Sequence, residues 1–163
     1  MIYLGVSAAE RTTMDAHMTF FSPDTDVMVL IIANYDRLPK STDISLASHV
    51  QKIEPLWVAL GPDRVKALLG FHAFSGADNT GRFSRIGKST WFKHSMNAEE
   101  HIIEAFHNIC HDQKLSANSQ SRLEEFVCTA YSPKGIHISR IPELRWYLFC
   151  KYMTESDRLP PTV

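Results

Sequence analysis

Hydrophobic positions along this chain follow two rhythms. In the first third they come as short unbroken runs: Phe20-Phe21, then Val27 through Ala33 without a polar residue. An apolar segment closed by Ser22-Pro23 predicts a core strand cut by the proline, which has no N–H and pushes its predecessor toward extended backbone. Val27 to Ala33 stays open between strand and helix, since a wholly apolar run has no period to read. Asn34 to Thr42, with Pro39, predicts a loop. Leu46, Val50 and Ile53 then fall at helical spacing in a mixed stretch from Ile44 to Val58, interrupted by Pro55. Gly61-Pro62-Asp63 predicts a stop and a fresh helix start. That helix puts Val65, Leu68, Leu69 and His72 on one face, runs to Phe74 and ends at Gly76. Ahead of all this, Ser7 to Glu10 can open a short helix.

The second half keeps the helical rhythm. Asn97-Ala98-Glu99-Glu100 has the pattern of a capping box before Ile102, Ile103, Phe106 and Ile109. Ser121 to Tyr131 carries Leu123, Phe126, Val127 and Ala130 on one stripe, Ser132 to Gly135 predicts a turn, and Pro142 opens a last helix through Leu144, Tyr147, Leu148 and Lys151. These stripes read as core rather than as cofactor contacts. No repeat, low-complexity tract or linker divides the chain.

Composition narrows the setting. A length of 163 residues suits one domain with a core of its own, and a net charge of −1 leaves any nucleic-acid signal to be local. Cys110, Cys128 and Cys150 are an odd, widely spaced set without a C-x-x-C pair, which fits a reducing compartment and argues against a cysteine-based zinc site. No signal peptide and no membrane-length apolar run stand out. The expectation is an intracellular protein, of nucleus or cytoplasm, with no membrane partner.

Two stretches carry candidate chemistry. Asp24 and Asp26 follow the predicted strand two residues apart, so in extended chain both carboxylates face one point at the strand mouth, where open α/β sheets bind ligands. A cap on the segment that follows explains the same two aspartates equally well. Asp78 falls on a glycine-flanked turn just past the predicted helix. Beyond it, Arg82, Arg85, Lys88 and Lys93 form a cationic segment with no acid before Glu99. A solvated face accounts for most such clusters; here Gly87-Lys88-Ser89 can also present backbone N–H groups to a phosphate at a helix start. The same tripeptide imitates the end of a P-loop. Gly81 is one residue too far upstream, however, and no apolar strand feeds the loop, so a nucleotide triphosphatase is set aside. His72 can be imagined as a general base, but it reads better as a half-buried helix residue.

Ser22-Pro23-Asp24-Thr25-Asp26 followed by Ser75-Gly76-Ala77-Asp78 resembles the metal-binding acids of the flap-endonuclease/XPG branch of the PIN-like nucleases. Arg85-Ile86-Gly87-Lys88 sits where that branch has a helical-hairpin turn gripping DNA backbone. The chain is also similar to a group of transposon-associated animal proteins that share S-P-D-T-D-V and H-A-F-[ST]-G-x-D-x-T. Glu125 to Cys128, Glu143 to Cys150 and Leu159 to Thr162 match their later segments, so this resemblance covers residues 20 to 162.

The resemblance implies an α/β fold: a truncated PIN-like parallel sheet with a mostly helical C-terminal half. Residues 1–163 would form one incomplete domain, 1–80 its α/β part and 81–163 its helical part. It further implies Mg²⁺ (or Mn²⁺) held by Asp24, Asp26 and Asp78 for phosphodiester hydrolysis, with Arg82, Arg85, Lys88 and Lys93 on the backbone of DNA or RNA. The family's upstream acids have only Glu10 and Asp15 as counterparts, neither in a matching motif. Both ends therefore read as incomplete, with a missing N-terminal segment or a partner protein completing the fold. A non-catalytic remnant that binds nucleic acid or protein is the alternative.

Overall fold

Pro23 decides where the first strand stops. The Ser22 N–H still reaches the Ser45 carbonyl at 3.1 Å, and Pro23 has no N–H with which to continue the ladder. The computed structural model describes residues 17–46, 49–76, 83–153 and 155–161. The expected helix opening at Ser7 to Glu10 lies outside these residues, as do Glu10, Asp15, Asp78, Arg82 and Thr162. The chain divides into two compact units, Met1–Leu69 and Gly70–Val163.

In the first unit, β1 (Met18–Phe21) pairs in parallel with β2 (Thr42–Leu46), Met18 opposite Thr42 and Phe21 opposite Ser45. Parallel neighbours need a crossover. The all-apolar run supplies it as a helix, α1 (Thr25–Ala33), which settles what periodicity left open. β2 pairs antiparallel with β3 (His49–Lys52), Asp43 opposite Lys52. The helical spacing of Leu46, Val50 and Ile53 was therefore misleading: two strands and then α2 (Ile53–Leu60) occupy that stretch. Val50 is 65% exposed, while Ile44 and Ile53 are fully buried. Pro55 is tolerated because it lies in the first turn of α2, where its missing N–H has no intrahelical partner to lose. The result is a mixed α/β fold. Among the described residues the sheet order is β1-β2-β3, so the strand leading to Asp24 is at an edge and β2 is central. The strand expected in the core is thus a half-buried one, and its last residue, Phe21, is exposed.

Gly61 caps α2 at φ +75° with ψ 164°, and Pro62 opens α3 (Pro62–Gly76) as the punctuation predicted. Ile31, Ile32, Tyr35, Leu38, Ile44, Ile53, Val65 and Leu68 form the buried cluster of this unit.

The second unit is helical. It contains the end of α3, then α4 (Lys88–Met96), α5 (Glu100–His111), α6 (Ala117–Tyr131) and α7 (Ile141–Tyr152). Its centre is aromatic: Phe106 and Phe126 meet edge to face at 5.0 Å, and Trp91 lies 5.3 Å from Phe126. Gly70 lets α3 reach α5, since a Cβ there would lie 1.9 Å from the Phe106 carbonyl oxygen. The predicted capping box is absent. Glu99 is the N-cap of α5 without a side-chain bond, and Asn97 instead ends α4, its amide donating to the Lys93 carbonyl at 2.9 Å. α6 starts earlier than the stripe suggested because the Ser116 hydroxyl accepts from the Ser119 N–H at 3.1 Å. Among the described residues no helix is long and apolar enough to cross a membrane.

Candidate nucleic-acid interface

The acids come first in the chain. Pro23 ends the strand, and a ladder of short side chains starts the helix. Ser22 Oγ accepts from the Asp24 N–H at 3.1 Å, and Asp24 Oδ1 accepts from the Asp26 N–H at 2.9 Å. Asp24 is the exposed N-cap of α1, in extended backbone, and Asp26 lies half-buried in the first turn. The extended-chain geometry that pointed both carboxylates at one spot is therefore replaced by a cap and a helical turn. Both residues still follow the carboxyl end of a parallel strand. One Asp24 oxygen is committed to a backbone N–H, a contact that stabilises a helix start by about 1 kcal/mol.

A hard divalent ion such as Mg²⁺ takes several oxygen ligands in near-octahedral array. Among the described residues no three or more of His, Cys, Asp and Glu come together to hold a metal. Asp24 and Asp26 alone do not make such a site, and Asp78 lies outside the described residues.

The basic segment is well defined from Phe83 onward. Phe83 is half-buried, its ring 5.0 Å from Phe74 and 4.8 Å from Trp91. The Tyr131 hydroxyl donates to the Ser84 carbonyl at 2.6 Å, tying this turn to the end of α6. Burial pushes the Tyr131 phenol up, so the O–H keeps its proton for this bond. The next residue, Arg85, has φ 63°, a left-handed conformation that a non-glycine residue adopts only when its surroundings impose it. Its side chain is exposed.

Gly87 then N-caps α4, and no side chain bonds to the cap. The Thr90 and Trp91 N–H groups share the Gly87 carbonyl at 2.9 and 3.1 Å. The N–H groups of Lys88 and Ser89 come before Thr90, the first bonded donor, and are left without an intrahelical acceptor at the helix start. Lys88, Ser89, Thr90 and Lys93 are exposed, whereas Trp91 and Ser95 bury the inner face of α4. No ion pair joins Arg85, Lys88 or Lys93 to another described residue. The segment thus presents cations and a positive helix end on a turn held from beneath by aromatic packing.

Further along α4, His94 borders an open groove of about 480 Å³, shared with Glu125 and Thr129 of α6 and with the turn from Ser132 to Ser139. Arg122, at 3.5 Å, and His101, at 3.6 Å, both face the Glu125 carboxylate.

Of the seven residues predicted for the site, Asp24 and Asp26 share one turn in the first unit, and Arg85, Lys88 and Lys93 share one segment in the second. Asp78 and Arg82 fall outside the described residues. His72 is the half-buried helix residue that was expected. Tyr131 and Phe83 were missed as positioning residues. Phe83 stands inside the basic run and its ring was a signal for an anchor; nothing in the sequence ties Tyr131 to Ser84.

Neither a protein-family model, a curated protein nor a solved structure matches this chain.

Proposed function

We propose that this chain is a nuclease-related domain that binds the phosphodiester backbone of nucleic acid, DNA foremost, through its second unit. The observation that supports this reading is the acid-free segment Arg85 to Lys93, with Arg85, Lys88 and Lys93 exposed, held by Phe83 and Tyr131 and containing a helix start that no side chain caps. Lysine and arginine neutralise phosphates and release counterions, and helix N–H groups accept phosphate oxygens. Neither contact reads bases, so binding is independent of sequence. A nuclear or cytoplasmic location, where nucleic acid is at hand, belongs to the same reading.

Mg²⁺-dependent phosphodiester hydrolysis is the second reading. It rests on the resemblance and is favoured by one observation, that Asp24 and Asp26 directly follow the carboxyl end of a parallel strand. Asp78 is the residue on which it depends.

The test is fluorescence anisotropy with labelled single-stranded, duplex and flap DNA over a range of salt. Affinity should fall linearly on a log–log plot against salt, and Lys88→Ala should lower the slope by about one phosphate's worth, ~0.9 for duplex. Equal affinity for wild type and Lys88→Ala at low salt would sink the binding reading. Added Mg²⁺ or Mn²⁺ separates the two readings. Cleavage that Asp78→Ala abolishes makes the domain an enzyme; binding without cleavage leaves it a backbone-binding module.

A further inference from the structure

The last turn of α5 ends on two imidazoles. His107 and His111 are one helical turn apart, and residues at that spacing are surface neighbours. Their ring centroids lie 4.2 Å apart, with planes 35° from parallel. His107 is half-buried and His111 exposed, while the buried stripe of the helix is Ile102, Ile103, Ala105 and Phe106. No hydrogen bond or ion pair joins either ring to another described residue. The other histidine of this helix behaves differently: His101 lies between the Glu99 and Glu125 carboxylates at 3.4 and 3.6 Å.

Neutral imidazole is the commonest protein ligand for metals. With Zn–N bonds of about 2.0–2.1 Å, two nitrogens on one ion stand roughly 3–4 Å apart. Rings at the separation seen here meet that requirement by side-chain rotation alone. Paired imidazoles suit Zn²⁺, Ni²⁺ and Cu²⁺ and are poor ligands for Mg²⁺ and Ca²⁺, which prefer oxygen. We propose that His107 and His111 form a two-imidazole chelate for a divalent transition ion of the Zn²⁺ class. Among the described residues no third His, Cys, Asp or Glu completes a larger group, so water fills the remaining positions. Cys110, although exposed and between the two histidines in sequence, does not join them in a group of three.

The placement gives the ion a role. Carbonyls in the last turn of a helix lack intrahelical donors, and that turn frays first. α5 ends at Asp112 in extended backbone, with its N–H on the Asn108 carbonyl as the closing bond. An ion bridging His107 to His111 clamps that final turn, and a ligand that prefers the folded state raises its stability by mass action.

Isothermal titration of the full, reduced chain with Zn²⁺, repeated with Ni²⁺, tests this, together with thermal unfolding followed by circular dichroism. One ion should bind per chain and raise the midpoint of unfolding. His107→Gln and His111→Gln should each weaken binding by about 10–100-fold, no less than the loss of an outer-shell partner at a metal site. His101→Gln and Cys110→Ser should bind as wild type does. Zn²⁺ should also protect His107 and His111 from diethylpyrocarbonate in the unmutated protein, which keeps the test independent of how the variants fold. Unchanged affinity in both histidine variants, a loss confined to Cys110→Ser, or modification of both rings regardless of Zn²⁺ would overturn the chelate.

Discussion

The two units place their candidate chemistry by opposite means. In the first, the bonds that shape the acidic turn span two residues each, Ser22 to Asp24 and Asp24 to Asp26. The neighbouring loop is closed the same way, by Tyr35 onto the Lys40 carbonyl and Thr42 onto the Pro39 carbonyl, both at 2.5 Å. In the second, the bonds that matter run far along the chain. Tyr131 reaches back to Ser84, and Glu124 accepts from the Ile141 N–H at 2.7 Å while its other oxygen lies 3.3 Å from Arg140. The buried sets differ accordingly: mostly aliphatic around a small sheet in one, aromatic between helices in the other. The acidic turn is a property of its own pentapeptide. The basic turn is a property of the folded helical unit.

Substitutions can break or sharpen this contrast, and the glycines have the largest expected effect. At Gly70 an added methyl meets helix backbone, so Gly70→Ala should lose about 3 kcal/mol or more in chemical denaturation. Gly61 has open space around it but backbone that L-residues avoid, so Gly61→Ala should lose about 1–3 kcal/mol from strain alone. Equal losses at the two sites would mean that packing in the second unit is looser than the helix approach implies.

Removing the cap comes next. Asp24→Ala should lower stability by about 1 kcal/mol, and Asp24→Asn or Asp24→Ser should recover most of it, since each retains a capping oxygen. DNA affinity should not change in any of the three. A fall in affinity with stability intact would join the acidic turn to the binding function and contradict the local account.

Tyr131→Phe removes one hydroxyl and should cost about 1 kcal/mol. Its sharper readout is DNA affinity, which should drop several-fold although Tyr131 itself need not touch DNA, because Ser84 and Arg85 lose their tether. Unaltered binding would mean that Phe83 packing holds the turn by itself.

The effect that vanishes at neutral pH is a pH dependence. Burial, reinforced by the carboxylates of Glu124, Glu125 and Glu143, pushes the Cys128 thiol up to about 12. The folded state therefore keeps a proton that an unfolded thiol gives up. The stability linked to it is fully present below the ordinary thiol range and is lost as pH rises through that range toward 12. Cys128→Ala should flatten this alkaline limb in denaturation midpoints measured between neutral pH and pH 11, a window set by the same shift. In the native wild type, iodoacetamide should spare Cys128, which is buried, and label the exposed Cys110 and Cys150.

Punctuation was the most legible feature of the sequence. Pro23, Gly61-Pro62, Gly76, Gly87, Gly135 and Pro142 each mark a boundary that the structure respects, because the chemistry of a missing N–H or Cβ acts within one or two residues. The helical stripes of α5, α6 and α7 were legible for a similar reason: a period repeated over three turns is hard to imitate. The stretch from Ile44 to Ile53 failed because three apolar residues at helical spacing are too few to define a face. Partner strands decided it, and a partner strand is not a local property. The capping box at Asn97 failed because Asn97 was already engaged in ending the preceding helix.

The pentapeptide Ser22 to Asp26 determined its own form. Proline stops the ladder, and short oxygen-bearing side chains cap the next helix over distances that two residues can span. The cationic character of Arg85 to Lys93 was equally a matter of sequence. That Arg85 stands in left-handed backbone beside Lys88, on a turn pinned by Phe83 and Tyr131, was decided only by tertiary structure. The contact from Tyr131 to Ser84 closes a loop of 47 residues. Its ordering entropy is offset by the packing of Trp91, Phe106 and Phe126 around it, which no window of sequence can display.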